Sequence, residues 1–299
     1  MKKIITSIVL LFLMNAGAQI LESYPPSSGI FQPTNYINMN GKMYYFARNA
    51  TYQWALYSTD GTATGNAVVK IINQQYGPIM STDIDIKFND YKIVFNNKLY
   101  FTALNQLWQS DGTAAGTFTM PNLQIPKYFK IFNGRLYFTA YGNGVGTEVW
   151  STDGTVAGTT LLKDIYPGTN PSIDSSQDPH FTVFNNKLFF VANDSVTGWE
   201  LWSTDGTTAG TALFKNLLVT ESESTIYNQG AFRYVSNYST MPFKVANNKM
   251  YFSANSDYSV QYGGNFKLFE TDGTSAGTVP VFSHLSIAMV APILYIQKD

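Results

Sequence analysis

The chain has 299 residues, no cysteine, and a formal net charge of −1 with only 13% charged residues. It has no Lys/Arg cluster, which removes the electrostatic footprint that nucleic-acid binding needs. The lack of cysteine excludes disulfide stapling, so the fold must rely on packing. With 20 Tyr, 21 Phe and 5 Trp, the composition favours strands with large buried faces over amphipathic helices, and the fold class read from it is all-β.

Taken in chain order, Met1-Lys2-Lys3, the apolar run Ile4 to Met14 and Ala16-Gly17-Ala18 have the three parts of a secretory signal peptide. Cleavage is expected after Ala18, so residues 1–18 are read as signal and 19–299 as one domain. The apolar run falls short of the roughly 20 residues that span a bilayer, and no membrane span is expected in the mature chain. Without cysteine there is also no site for a lipid anchor after the cleavage point. A bacterial protein, secreted or at the cell surface, is the expectation.

Two blocks then recur five times. The first reads NGKMYYFA at 40–47, NNKLYFTA at 96–103, NGRLYFTA at 133–140, NNKLFFVA at 185–192 and NNKMYFSA at 247–254. Its Asn and Gly make a turn, and the aromatic run after it is a strand signal. Leu188, Phe190 and Ala192 face one way and Phe189 and Val191 the other, so both faces are apolar and both must be covered. The second block reads ALYSTDGTATGN at 55–66, QLWQSDGTAAGT at 106–117, EVWSTDGTVAGT at 148–159, ELWSTDGTTAGT at 200–211 and KLFETDGTSAGT at 267–278. A short strand leads into Asp-Gly, where Gly accepts positive φ and the Asp carboxylate can accept nearby backbone N–H groups. The second glycine is read as a further bend.

Further β-like runs follow each turn, at 67–71, 117–120, 160–164, 212–215 and 279–282, and others precede the Asn turn, at 129–132, 181–184 and 243–246. Each unit thus has four short strands. The Asp-to-Asp intervals are 51, 42, 52 and 67 residues, with variation confined to loops, and a four-stranded unit at this period is the signature of a propeller blade. The fold expected is a β-propeller of four-stranded blades with five repeats, at about 31–73, 84–124, 127–166, 179–219 and 241–285.

On these residues the chain resembles the ELWxxDGT repeat family of exported bacterial proteins, for which propeller-like structures are implied. Glu148-Val-Trp and Glu200-Leu-Trp match the motif best. Ala55-Leu-Tyr and Lys267-Leu-Phe depart from it, and Gln106 replaces Glu in copy two. The resemblance covers roughly residues 30 to 285 and implies a framework, not a ligand. At the C-terminal end, the strand at 279–282 either completes the first blade or serves its own, with Ile293-Leu-Tyr-Ile296 beginning a truncated sixth.

Symmetry argues against catalysis, because an active site needs one set of groups and the conspicuous residues occur five times. Asp60, Asp111, Asp153, Asp205 and Asp272 are read as structural turn residues by the Asx mechanism. Each turn offers one carboxylate, whereas a calcium loop gathers six to eight oxygens, so no metal or other cofactor is expected. The arrangement is similar to the Asp-box of sialidase propellers, where the box is structural. Tyr57, Trp108, Trp150, Trp202 and Phe269 share one position and are read as core, and Lys42, Lys98, Arg135, Lys187 and Lys249 as solvated or locally paired edge residues. His180 and His284 lie in different copies, which gives a triad or histidine metal site poor support, and His180 is read as a solvated loop residue. Glu221 with Glu223, Asp83 with Asp85, and Asp174 with Asp178 are the unique carboxylates that an acid/base pair would use.

The function expected is a non-enzymatic binding or adhesion module, with no catalytic residues and with a glycan or an extracellular protein as partner. Tyr227, Tyr234 and Tyr238 in the long insertion and Tyr258 and Tyr262 in the copy-five hairpin are the candidate ligand-binding residues. Tyrosine there has no repeat counterpart that explains it as core, and it suits half-apolar contacts. The alternatives are a multivalent lectin with one sugar site per blade, resembling tachylectin-like propellers, and a polysaccharide hydrolase or lyase using the loop carboxylates.

Overall fold

The computed structural model describes residues 11–14, 17–20, 31–50, 53–62, 64–72, 91–217, 230–232, 243–255 and 266–281, and no helix occurs among them. The chain divides into two compact units, Met1–Pro126 and Lys127–Asp299.

In the first unit, β1 (Leu11–Met14) pairs antiparallel with β2 (Gly17–Ile20), within and just beyond the expected export signal. Strands β3 (Phe31–Met39), β4 (Lys42–Arg48), β5 (Trp54–Thr59) and β6 (Ala67–Ile71) form an antiparallel sheet in chain order. The next group is β7 (Lys92–Phe95), β8 (Lys98–Ala103), β9 (Gln106–Ser110) and β10 (Phe118–Phe132), again in order. In the second unit the end of β10 is followed by β11 (Arg135–Gly142), β12 (Gly146–Thr152) and β13 (Thr160–Leu161). Two complete four-stranded sheets follow. One is β14 (Thr182–Phe184), β15 (Lys187–Asn193), β16 (Trp199–Thr204) and β17 (Ala212–Lys215), and the other is β18 (Lys244–Ala246), β19 (Lys249–Asn255), β20 (Phe266–Thr271) and β21 (Val279–Pro280).

The Asn turns have the geometry their sequence implies. Asn185 and Asn186 have φ of 45° and 55°, and Asn133 and Gly134 have 45° and 68°. Two consecutive left-handed residues match the right-handed twist of the flanking strands, which joins β14 to β15 and the end of β10 to β11 as tight hairpins.

Three expectations need correction. The runs at 117–120, from Phe118 on, and 129–132 fall within one strand, β10, which is bent at Ile125 and Tyr128, with φ of 52° and 57°. Copies two and three therefore share a strand. The run at 160–164 is strand only over Thr160–Leu161; Leu162 N–H gives one more in-register bond, to Val149 O at 2.9 Å, before Ile165 N–H turns to Glu148. The last run is strand over Val279–Pro280 and no longer strand at Val281, although Val281 N–H still reaches Leu268 O at 2.8 Å; Phe282 lies outside the described residues.

The core lies between sheets. Leu188, Phe190 and Ala192 of β15 pack with Phe132, Tyr137 and Val149 of the preceding repeat. Phe189 and Val191, on the opposite face, pack with Phe243, Met250 and Phe252 of the following one. Leu188, Phe189 and Phe190 are fully buried, and burying each side chain contributes roughly 1.5 to 3 kcal/mol. In the first unit, Phe46 meets Phe101 with ring centroids 4.9 Å apart, and Phe101 stacks on Trp108 at 6.0 Å. Such aromatic pairs add about 0.5 to 1.5 kcal/mol beyond the area they bury.

Candidate functional site

The Asp-Gly-Thr turn is a closed knot of hydrogen bonds. In copy four, Asp205 Oδ1 accepts both the N–H and the hydroxyl of Thr207 at 2.8 Å. Gly210 N–H donates to Thr207 Oγ1 at 2.9 Å, and Gly206 N–H to Thr204 Oγ1 at 2.9 Å. The Thr211 hydroxyl sits 2.7 Å from Thr204 Oγ1 and 2.6 Å from Thr207 O. Copies three and five repeat every one of these bonds around Asp153 and Asp272. Copy two does so around Asp111, with Ser110 in the place of the first threonine. In copy one, Asp60 holds Thr62 in the same way, while Asn66 replaces the last threonine and accepts from Tyr45 OH at 3.0 Å.

The two glycines do different work. The first, at 61, 112, 154, 206 and 273, has φ between 89° and 104°, a region that side chains avoid. The second is not left-handed, and it lies in the further bend expected of it, a turn closed in copy four by Thr211 N–H on Thr208 O at 3.4 Å. A Cβ on Gly210 would fall 2.1 Å from Asp205 Oδ1, and Gly65, Gly116, Gly158 and Gly277 would each bring a Cβ just as close to their own Asp. Its role is to leave room for the carboxylate.

These bonds hold every one of the five carboxyls below the usual range. The Thr backbone N–H is the largest cause at Asp60, Asp153 and Asp205, and the Thr hydroxyl at Asp111 and Asp272. A smaller contribution in each repeat comes from its own cation, Lys42, Lys98, Arg135, Lys187 or Lys249. Arg135 also donates to Ser151 Oγ at 3.1 Å and Gly158 O at 2.5 Å, and Lys249 pairs with Glu270. Neighbouring repeats are clasped by the same residue types. Asn133 Nδ2 donates to Asp205 O at 3.2 Å and Asn185 Nδ2 to Asp272 O at 2.5 Å. Lys70 reaches Ala114 O at 3.2 Å, Lys163 reaches Thr211 O at 2.7 Å, and Lys215 reaches Ser275 O and Thr278 O at 2.8 Å. Four of the five residues at the shared aromatic position are buried, namely Tyr57, Trp108, Trp202 and Phe269, and Trp150 is half-buried.

Two carboxylates missed in the sequence reading are buried in the sheets. Glu148 is 0% exposed and accepts from Ser172 N–H at 2.9 Å, Ile165 N–H at 3.3 Å and the Ser172 hydroxyl. Burial pushes its carboxyl up to about 7, against the pull of those hydrogen bonds, and the nearby Asp164 charge adds to the rise. Glu200, also 0% exposed, accepts from Leu217 N–H and Ala231 N–H, both at 3.0 Å. The available signal was a motif glutamate inside an apolar strand, since a buried carboxylate must be hydrogen-bonded.

Of the carboxylate pairs named as acid/base candidates, the described one is Asp174 with Asp178. Asp174 Oδ1 holds Ser176 N–H and hydroxyl at 2.8 and 2.6 Å, and Asp178 Oδ1 holds His180 N–H at 2.7 Å, so both fix turns. His180 is not a solvated residue. It packs on Phe243 of the next repeat with centroids 5.3 Å apart, and burial lowers its pKa, opposed by Asp178. Tyr227, Tyr234, Tyr238, Tyr258, Tyr262, Glu221, Glu223, Asp83, Asp85, His284 and residues 293–296 lie outside the described residues. Among the described residues, no group of three or more His, Cys, Asp or Glu is placed to hold a metal ion, and no helix is long and apolar enough to cross a membrane.

The geometry defines a class: an all-β protein of repeated four-stranded antiparallel sheets whose recurring polar groups are hydrogen-bonded within their own turns. No family model matches the chain, and no curated protein matches it. Among solved structures it is similar to a puromycin hydrolase (11% identity, 90% of this chain and 40% of that one, TM-score 0.46). It is also similar to TolB from Acinetobacter baumannii (15%, 86% and 55%, 0.36) and to an α-L-arabinofuranosidase from Clostridium thermocellum (14%, 83% and 93%, 0.29). The chain thus spans about half or less of the length of the first two. No activity is carried over from any of them.

Proposed function

We propose that the protein is an exported β-propeller of the ELWxxDGT type that works as a binding or adhesion module for a glycan or an extracellular protein. One observation carries this reading: the polar groups that recur in every repeat are consumed by the framework itself. Each Asp-Gly-Thr knot closes on its own backbone, and Asn133, Asn185, Lys70, Lys163 and Lys215 clasp the neighbouring turn. Contact with anything else is left to the non-repeated segments between units, which differ in length and sequence from copy to copy. The face-to-face burial of β15 on both sides supports blades stacked about an axis.

The test is a glycan and surface-protein array run with the purified mature chain, followed by deletion of residues 257–264. That excision keeps Asn255 opposite Phe266 at the ends of β19 and β20, so the hairpin can close. Loss of a ligand on deletion supports the reading, as does loss on changing Tyr227, Tyr234 or Tyr238 to Ala. Turnover of a polysaccharide, abolished by Glu221→Gln or Glu223→Gln, would replace it with a hydrolytic one.

A further inference from the structure

Glu148 and Glu200 occupy a motif position that the repeat does not need filled by an acid, since its other occupants are Ala55, Gln106 and Lys267. What the two copies share is a linker that leaves the sheet and comes back beside it. Glu148 Oε2 accepts from Ile165 N–H, where the linker departs, and Oε1 from Ser172 N–H, where it returns. Glu200 repeats the pattern, with Oε2 on Leu217 N–H and Oε1 on Ala231 N–H.

The returning foot is placed identically in both copies. Ile173 N–H donates to Thr147 O at 3.1 Å and Phe232 N–H to Trp199 O at 3.0 Å, each on the residue preceding the glutamate. From the other side, Asn193 N–H donates to Ser172 O at 2.9 Å and Asn255 N–H to Ala231 O at 2.8 Å, each from the following repeat. The linker sequences have nothing in common. Six residues separate the feet in one and thirteen in the other.

We propose that Glu148 and Glu200 are positioning residues that each tie two separated points of the chain to the sheet, and that Glu148 so presents residues 166–171 in a fixed pose. This deepens the binding-module reading and rests on it for the purpose of the pose. The chemistry selects Glu over its amide, because the backbone of both feet presents N–H donors, one to each carboxyl oxygen, and each oxygen can accept. Gln would turn an NH2 toward one of them. In copy two, Gln106 lies opposite Gln124 in the ladder of β9 and β10, where the linker is itself part of the strand and has no feet to tie. Space is tight where the linkers meet the sheet: a Cβ on Gly230 would fall 2.1 Å from Trp199 N, and one on Gly146 would fall 2.6 Å from Asn170 O.

The experiment is amide hydrogen exchange on the full mature protein, comparing Glu148→Ala, Glu148→Gln and a core control, Leu188→Ala. In Glu148→Ala the amides of Ile165 and Ser172 should exchange at least about tenfold faster, having lost a buried acceptor, while β19 amides stay as in the native chain. Leu188→Ala should loosen the repeats together. Unchanged protection at Ile165 and Ser172 in a folded Glu148→Ala protein overturns the proposal, and so does uniform loosening.

If that variant does not fold, Glu148→Gln decides the matter. The Ser172 amide resonance of the native protein should titrate with a midpoint of about 7 and stop doing so in Glu148→Gln. Asp164 is the charged group facing Glu148 and shifts it in the same direction as burial. A Ser172 amide that is flat from about pH 3 to about pH 9, or that moves with pH in the same way in Glu148→Gln, overturns the assignment. On the array, an intact protein that binds nothing removes the binding-module reading and leaves the tie standing. A ligand held equally well after the feet have loosened in Glu148→Ala overturns the presenting role.

Discussion

Substituting Gly210 by Ala tests the account of the turn at its tightest point. The added carbon would lie 2.1 Å from Asp205 Oδ1, 2.2 Å from its Cγ and 2.3 Å from Oδ2, against a comfortable contact of about 3.5 Å. The shortfall exceeds about 1 Å, more than turn backbone absorbs, so the carboxylate must swing out and release the Thr207 N–H and hydroxyl it holds. Overpacking of this kind costs about 1–3 kcal/mol, although no left-handed φ is involved. Urea unfolding of Gly210→Ala, Asp205→Ala and the double variant forms a cycle. With the carboxylate gone the methyl group has room, so Gly210→Ala should cost far less in the Asp205→Ala background. Equal costs in the two backgrounds, additive within about 0.5 kcal/mol, would refute the reasoning.

Three further expectations concern stability. The Glu148 carboxyl lies at about 7 in the fold against an ordinary 4.5, so its favourable contribution is complete below about 4.5 and is lost as pH rises through about 7. The change is about 3 kcal/mol. Glu148→Gln should therefore be less damaging at about pH 8 than at about pH 4.5 by that order, as read from denaturant midpoints, and an equal penalty at both pH values counts against a neutral buried acid. The five turn aspartates act with the opposite sign. Held below 3.8, they contribute above that value and lose the contribution as pH falls through their folded pKa. The native chain should accordingly lose stability again in strong acid. Phe190→Ala empties a fully buried position between two sheets and should cost about 3–5 kcal/mol. A loss under about 1 kcal/mol would mean that the two sheets do not depend on that face.

The four-strand repeat, the Asn turns and the two-sided burial of β15 were legible because each is set by local chemistry. Left-handed φ falls to Asn and Gly, and a strand apolar on both faces must be covered on both. The Asp turn was legible only in part. Asp-x-Thr is visible as a pattern, but the need for Gly210 depends on where the Asp205 side chain points, and no spacing rule reports that. His180 was misplaced for a similar reason. Its neighbours in sequence are polar, while the residue that covers it, Phe243, lies 63 positions away.

By themselves the residues determine an all-β chain cut into repeated units, since period, turn chemistry and apolar alternation act over a few residues at a time. Tertiary structure alone decided that β10 serves two repeats, and that Glu148 and Glu200 face the backbone of linkers instead of solvent. Those outcomes depend on which donors arrive at a buried carboxylate from 17, 24 and 31 residues along the chain. A buried charge is tolerated only where such partners converge, and convergence is a property of packed sheets.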